Sequence, residues 1–358
     1  MSRSRSRQFG AADGMLPPLE QRPQLVVVVD CEEEFDWAQP LRGTPCSVRS
    51  TAEIEPLQRI LNKHGVRPTY VVDYQVASDE SACRPLRTWR DDDCCGIGAH
   101  LHPWVTPPFG EEPSIANSFQ ANLPPALERA KIESLVALLE QRFDERPTIF
   151  RAGRFGIGSE TASMLVDLGF EIDVSFMPHY SYREQGGRDF RTAPMAPFWL
   201  GPGQSLFEIP VTAGFTGIAW RAGPWVQRLV ETKLAESVRL GGLLSRSFIL
   251  SRLRLTPEGM HLGEIKELTR ALLRRGQSVF HLTLHSTSMV LGGNPYVRDE
   301  GDRQRLVEWM DAFLAFFMHE IGGVPATPHE ILMHARAGRS ANSDRPEATN
   351  DLLTVSGR

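Results

Sequence analysis

Short apolar runs alternate with helical spacing along this chain. Residues 25–29 (LVVVV) form an unbroken, mostly β-branched run ending at Asp30, the pattern of a strand buried on both faces. Ile54, Leu57, Ile60 and Leu61 then recur at helical spacing over 54–62, and His64-Gly65 stops them. Further strands are predicted at 69–72 (TYVV), 97–99, 149–150, 171–174, 206–209 and 279–284. Helices are predicted at 127–143, with Leu127, Ala130, Leu135, Leu138 and Leu139 near one stripe, and at 262–273 and 303–318. Another is predicted at 159–168, with Ser159 as its N-cap and Gly169 as its stop.

This strand-then-helix rhythm predicts an α/β fold of parallel strands joined by helices. Asp30, His100, Arg151, Asp173 and His285 all fall at or near the C-terminal end of a predicted strand. In a (β/α) barrel those ends form the face that carries chemistry, so five such placements point to one site. Residues 1–22 read as a flexible arm and 335–358 as a polar, disordered tail, leaving 23–334 as one barrel domain. The stretch 178–255 is poorly patterned and is expected to hold insertions that shape the substrate site. Its end, 239–255, mixes arginines with leucines and reads as a basic amphipathic surface element.

With 358 residues, 41% of them hydrophobic, the chain can bury a large core without covalent staples. Its net charge of -5 gives no general footprint for nucleic acid or an anionic membrane surface. No stretch approaches the roughly 18 apolar residues of a membrane span. The five cysteines are odd in number and contain no C-x-x-C pair, which argues against a disulfide framework or a thiolate zinc site. The N-terminal stretch is basic but lacks the apolar core of a secretory signal. Together these predict a cytoplasmic protein. Its oligomeric state is not legible.

Four segments hold the candidate chemistry. In Asp30-Cys31-Glu32-Glu33-Glu34, an extended backbone turns Asp30 and Glu32 to the same side. In Gly98-Ala99-His100-Leu101-His102-Pro103-Trp104, the His-x-His spacing puts two imidazoles on one face. Two imidazoles and one carboxylate are the donor set of open, water-bearing catalytic metal sites. The third segment is Phe150-Arg151-Ala152-Gly153-Arg154-Phe155-Gly156, and the fourth is Leu284-His285-Ser286. Each alone has a plain structural reading: an acidic loop, loop histidines, a turn with paired arginines, a histidine satisfied at a strand end.

Taken in order, these segments resemble the polysaccharide deacetylase family (NodB-homology domain, carbohydrate esterase family 4). The resemblance runs over about residues 25–291. VVVVDCEEEFDW is similar to the family's apolar strand ending in two acids, and Arg67-Pro68-Thr69-Tyr70-Val71-Val72 to its next strand. Ile97-Gly98-Ala99-His100 resembles the start of its histidine motif, Phe150 to Gly156 its arginine motif, and Leu284-His285 its last motif. Three departures stand out. Cys31 separates the acids, only Leu101 separates the histidines, and Ala152-Gly153 stands where the arginine motif has proline. The chain therefore resembles a divergent subgroup linked to surface-polysaccharide biosynthesis.

The resemblance implies a distorted NodB-type (β/α) barrel of about seven parallel strands. It also implies hydrolysis of an N-acetyl group on an amino sugar or glycan. It makes Glu32, His100 and His102 the metal ligands, with Asp30 or Asp36 as other candidates for the acid. Zinc is the first expectation for the metal, and Co, Ni, Fe or Mn also suit the donors. Asp30 is implied as general base, oriented by Arg151, and His285 as general acid, with Asp173 acting on it. Trp37, Trp104 and Arg154 are the candidate substrate contacts. Two other readings fit the pattern: a hydrolase of a cyclic or non-sugar amide, and a catalytically silent sugar- or partner-binding barrel.

Overall fold

A computed structural model describes residues 22–35, 47–223, 225–226 and 250–341. The strands are β1 (Gln24–Cys31), β2 (Thr69–Val72), β3 (Gly96–Leu101), β4 (Ile149–Ala152), β5 (Ile172–Asp173), β6 (Phe198–Leu200), β7 (Leu206–Glu208), β8 (Ala213–Thr216), β9 (Ser251–Arg254), β10 (Val279–His285) and β11 (Val324–Pro325). The helices are α1 (Glu55–Lys63), α2 (Tyr74–Ser78), α3 (Glu80–Asp91), α4 (Pro125–Phe143), α5 (Ser159–Asp167), α6 (Leu262–Leu273), α7 (Glu300–Ala315) and α8 (Pro328–Ala341).

The main sheet runs β10-β1-β2-β3-β4-β5-β7-β6. The seven strands from β10 to β7 are parallel to their neighbours, and β6 is an antiparallel edge. This is the expected distorted (β/α) barrel. The sheet curls until the chain after β7 meets β10: Thr212 N donates to His281 O (3.1 Å) and Thr283 N to Leu255 O (3.2 Å). β8 and β9 form a separate antiparallel ribbon.

Two-residue alternation decides which side chains face the site. In β1, Val27, Val29 and Cys31 join the outer core with Leu57, Leu61 and Leu86 of the covering helices. Val26 and Val28 join an inner cluster with Val71, Ile149 and Ile172, closed by Ile331 and Leu332 of α8. Asp30 continues the inner series. Cys31 is therefore an outward-facing core residue, and its presence between the acids leaves both turned the same way. Leu101 likewise sits in the outer core, which frees His100 and His102 to share the other side.

The structure changes several expectations. Helix α5 begins at Ser159, so the cap position is Gly158, whose N–H donates to the Thr161 hydroxyl (3.0 Å). Helices α2 and α3 were not anticipated, although Asp73 and Asp79 cap them: Val76 N donates to Asp73 Oδ1 (2.7 Å) and Ser81 N to Asp79 Oδ1 (2.8 Å). Helix α8 runs on to Ala341 with Ala335 buried, past the expected start of the tail at 335. The unpatterned stretch 178–255 supplies β6, β7, β8 and β9. Most of the arginine–leucine element lies outside the described residues. Among those residues no helix is long and apolar enough to cross a membrane.

Candidate active site

Parallel register lays the strand-end residues side by side. Asp30 pairs with His285 across β1 and β10, and His100 with Arg151 across β3 and β4. His102 follows β3 by one residue, and Glu32 follows β1 by one. Glu32, His100 and His102 are buried and offer three ligand atoms within 4.8 Å of one another.

The donor atoms are prepared for a cation. His100 Nδ1 donates to the Arg151 carbonyl (3.2 Å), and His102 Nδ1 donates to Glu33 Oε2 (2.8 Å). Both bonds fix the tautomer and leave the Nε2 lone pairs for a ligand. Those Nε2 atoms lie 3.6 and 3.4 Å from Glu32 Oε2. That is long for a hydrogen bond but close to the roughly 3.3 Å edge of a tetrahedron with zinc-like bond lengths. His100 Nε2 and Glu32 Oε1 are buried with no hydrogen-bond partner. Burial lowers the His102 imidazole to about 4, so it is neutral and ready to bind. Burial pushes Glu32 up to about 7, against the pull of His285 and His100. These residues fit a divalent metal.

Beside this cluster stand a carboxylate and an imidazole that their neighbours hold charged. Arg151 Nε donates to Asp30 Oδ1 (3.3 Å), while its other nitrogens reach Thr283 Oγ1 (2.6 Å) and the Val174 carbonyl. Burial alone would raise Asp30, but Arg151, His100 and His285 outweigh it and hold the carboxyl below its ordinary range. His285 Nε2 lies 3.8 Å from Asp30 Oδ2. On its other side, His285 Nδ1 donates to Glu258 Oε2 (2.8 Å), and its backbone N–H donates to Glu258 Oε1 (2.8 Å). Burial pulls the His285 imidazole down, but Glu258, Glu32 and Asp30 together lift it to about 10.

No family model and no curated protein matches this sequence. Solved structures do match. A Mycobacterium smegmatis protein described as a polysaccharide deacetylase aligns over 94% of this chain and 97% of its own, with 17% identity and a TM-score of 0.53. The PuuE allantoinase aligns over 94% of this chain and 98% of its own, with 13% identity and a TM-score of 0.55. The fold is that of the NodB-type deacetylases. At such identities the likeness speaks for the fold alone.

Within this deacetylase fold, the glycine of the arginine segment has a physical reason. A Cβ on Gly153 would come within 2.5 Å of both His102 Cδ2 and the Leu101 carbonyl. The end of β4 therefore presses directly on a metal-ligand candidate. Gly153→Ala is expected to tilt His102 and weaken metal affinity by about ten- to a hundredfold. A competitive chelator titration measures this, and an unchanged affinity would remove Gly153 from the site.

The predicted residues are not all where the motifs suggested. Asp173 does not serve His285. It sits in register beside Phe150, an outer-core residue, while its neighbour Ile172 faces inward. Alternation thus turns Asp173 to the other side of the sheet, where it is buried against Glu208 and accepts from the Ser175 hydroxyl. The carboxylate on His285 is Glu258. Trp104 is not an open sugar platform either: it is buried, stacks on His102 (4.2 Å between centroids) and donates to Glu33 Oε1 (2.7 Å). Arg154 stands half-buried over the Phe119 ring (4.7 Å) and donates to Gln185. Trp37 and Asp36 lie outside the described residues.

Three carboxylates that contact the candidate site residues were missed. Glu33 anchors His102 and Trp104, and its N–H donates to Asp73 Oδ2 (3.0 Å). Glu33, Asp73 and His102 also have metal-like spacing, but each of the four carboxylate oxygens already accepts a hydrogen bond, so they form a supporting layer. Asp73 follows TYVV just as Asp30 follows LVVVV, so the strand-end signal was available. Glu258 carried only a Pro-Glu-Gly turn signal.

Glu258→Gln tests the assignment on His285. An amide cannot hold the imidazole charged, so the pKa of His285 falls. If His285 must be protonated to act, the basic limb of the kcat–pH profile moves to lower pH. Turnover at neutral pH should drop about ten- to a hundredfold, by analogy with other oriented acid–base pairs. A basic limb that stays in place would separate Glu258 from the acid.

Proposed function

We propose that this protein is a metal-dependent N-deacetylase acting on an amino sugar or glycan. The observation that carries the reading is the buried trio Glu32, His100 and His102, whose ligand atoms lie close together and in which His100 Nε2 and Glu32 Oε1 have no hydrogen-bond partner. It lies between the Asp30–Arg151 pair and the His285–Glu258 pair at the C-terminal end of the strands. Two imidazoles and one carboxylate suit zinc first, with cobalt, nickel, iron and manganese also compatible.

Glu32, His100 and His102 would hold the metal, which supplies Lewis-acid activation of water and of the acetyl carbonyl. Asp30, kept ionised by Arg151, accepts the proton of the attacking water. His285, kept charged by Glu258, donates a proton to the departing amine nitrogen. The two groups act in sequence from opposite sides of one small space, 3.8 Å apart. Glu33 and Gly153 orient His102. We place the reaction in the cytoplasm, on the cysteine pattern.

The test is acetate release from a panel of N-acetylated amino sugars and oligosaccharides. Release should be lost on chelation and restored by a divalent transition metal. A metal-loaded, folded protein that releases no acetate but opens a cyclic amide would move the assignment to that chemistry. Inactivity on both, with no metal bound, would favour the silent barrel.

A further inference from the structure

The walls of the cleft carry cations that the proposed chemistry does not use. Arg154 directly follows Gly153, the residue pressed against His102. It is half-buried over Phe119 and hydrogen-bonds only the neutral amide of Gln185. Arg254 ends β9, four residues before Glu258. Its hydrogen-bond partner is also neutral, the Tyr296 hydroxyl at 3.4 Å. The Tyr296 ring in turn packs against Gly259, the residue after Glu258, where an added Cβ would lie 3.0 Å away. Arg154 is thus one residue from Gly153, and Arg254 is linked to Glu258 through Tyr296 and Gly259. Neither has a carboxylate within salt-bridge reach among the described residues.

Many other arginines in this chain of 44 acidic and 39 basic residues find carboxylates. Tyr182 is within electrostatic reach of both. It stacks on Phe155 (5.5 Å), and Phe155 lies under Arg151 (5.1 Å). The backbone is strained to build this wall: Arg154 and Phe155 are consecutive non-glycine residues with φ of 53° and 58°. Such conformations persist where the surroundings over-determine them.

Half-buried guanidinium groups hydrogen-bonded only to neutral partners favour a planar or tetrahedral oxyanion. We infer that Arg154 and Arg254 bind an anionic group of the substrate, so that the preferred substrate is an acidic N-acetylated sugar bearing a phosphate or a carboxylate. The inference rests on reading the barrel mouth as an N-deacetylase site, and it adds the charge class of the sugar.

Calorimetric titration of the metal-loaded protein tests it. The probes are N-acetylglucosamine, N-acetylglucosamine 1-phosphate and the N-acetylated 2-amino uronic acid of the same ring. One acidic probe should bind at least about tenfold tighter than the neutral sugar, and which one does so identifies phosphate or carboxylate as the anion. Arg154→Gln and Arg254→Gln, with folding checked by circular dichroism and melting temperature, should each shrink that ratio, and the pair should bring it within about threefold of unity. In the wild type, rising ionic strength should also reduce the ratio, a readout independent of variant folding. Equal affinities overturn the inference, as does no measurable binding of either acidic probe, or an acidic preference kept by the double variant. A protein that prefers acidic sugars yet never releases acetate sinks the hydrolase reading and leaves this one standing. Acetate release without charge preference does the reverse.

Discussion

Asp30→Asn is expected to cut acetate release by about 10²- to 10⁴-fold while leaving the metal bound. Asparagine keeps the size of the side chain and an oxygen that can still accept from Arg151, but it cannot take a proton from water. The loss should fall on kcat, because the substitution removes a proton acceptor and no ligand of the proposed metal. A secondary effect has a definite sign. Asp30 is one of the carboxylates that raise His285, so the basic limb of the pH profile should also move down. Elemental analysis beside single-turnover kinetics checks both parts. A metal-loaded variant with wild-type turnover would exclude Asp30 as the base. Loss of the metal would make Asp30 a ligand instead.

The double variant His100→Ala/His102→Ala should lose the metal outright, from about one equivalent to background, and lose activity with it. Two of three donors disappear, and the remaining carboxylate is poorly placed to hold an ion alone. Glu32 then stays buried without a cation. Since burial already pushes its carboxyl up to about 7, it can take a proton and remain neutral, so the fold should survive. Circular dichroism with elemental analysis gives the answer. Metal retained by a folded double variant would show that the ligands are misplaced and turn attention to Glu33 and Asp73.

The sequence by itself determined much of this protein. The β-branched run before Asp30, the helical spacing of 54–62 and 262–273, and the strand at 279–284 were legible because a buried parallel strand and an amphipathic helix each leave a period in the chain. The order of polar residues at strand ends located the site face. The spacing of His100 and His102 was readable too, since alternate residues of an extended segment share a side.

Other features were decided only in three dimensions. A strand-end acid is visible in sequence, but which face of the sheet it takes depends on register. Asp173 lies beside Phe150 and faces the helices, and Asp30 lies beside His285 and faces the site. The partner of His285 came from 27 residues upstream, in a stretch without periodicity, because a hydrogen bond to one imidazole needs a single carboxylate on a turn and leaves no repeat. The role of Trp104 depended on what stacks against it, and the need for glycine at 153 on how closely β4 approaches His102. Periodic burial is written along the chain, while pairwise contacts between distant segments arise only when the sheet closes and brings its strand ends together.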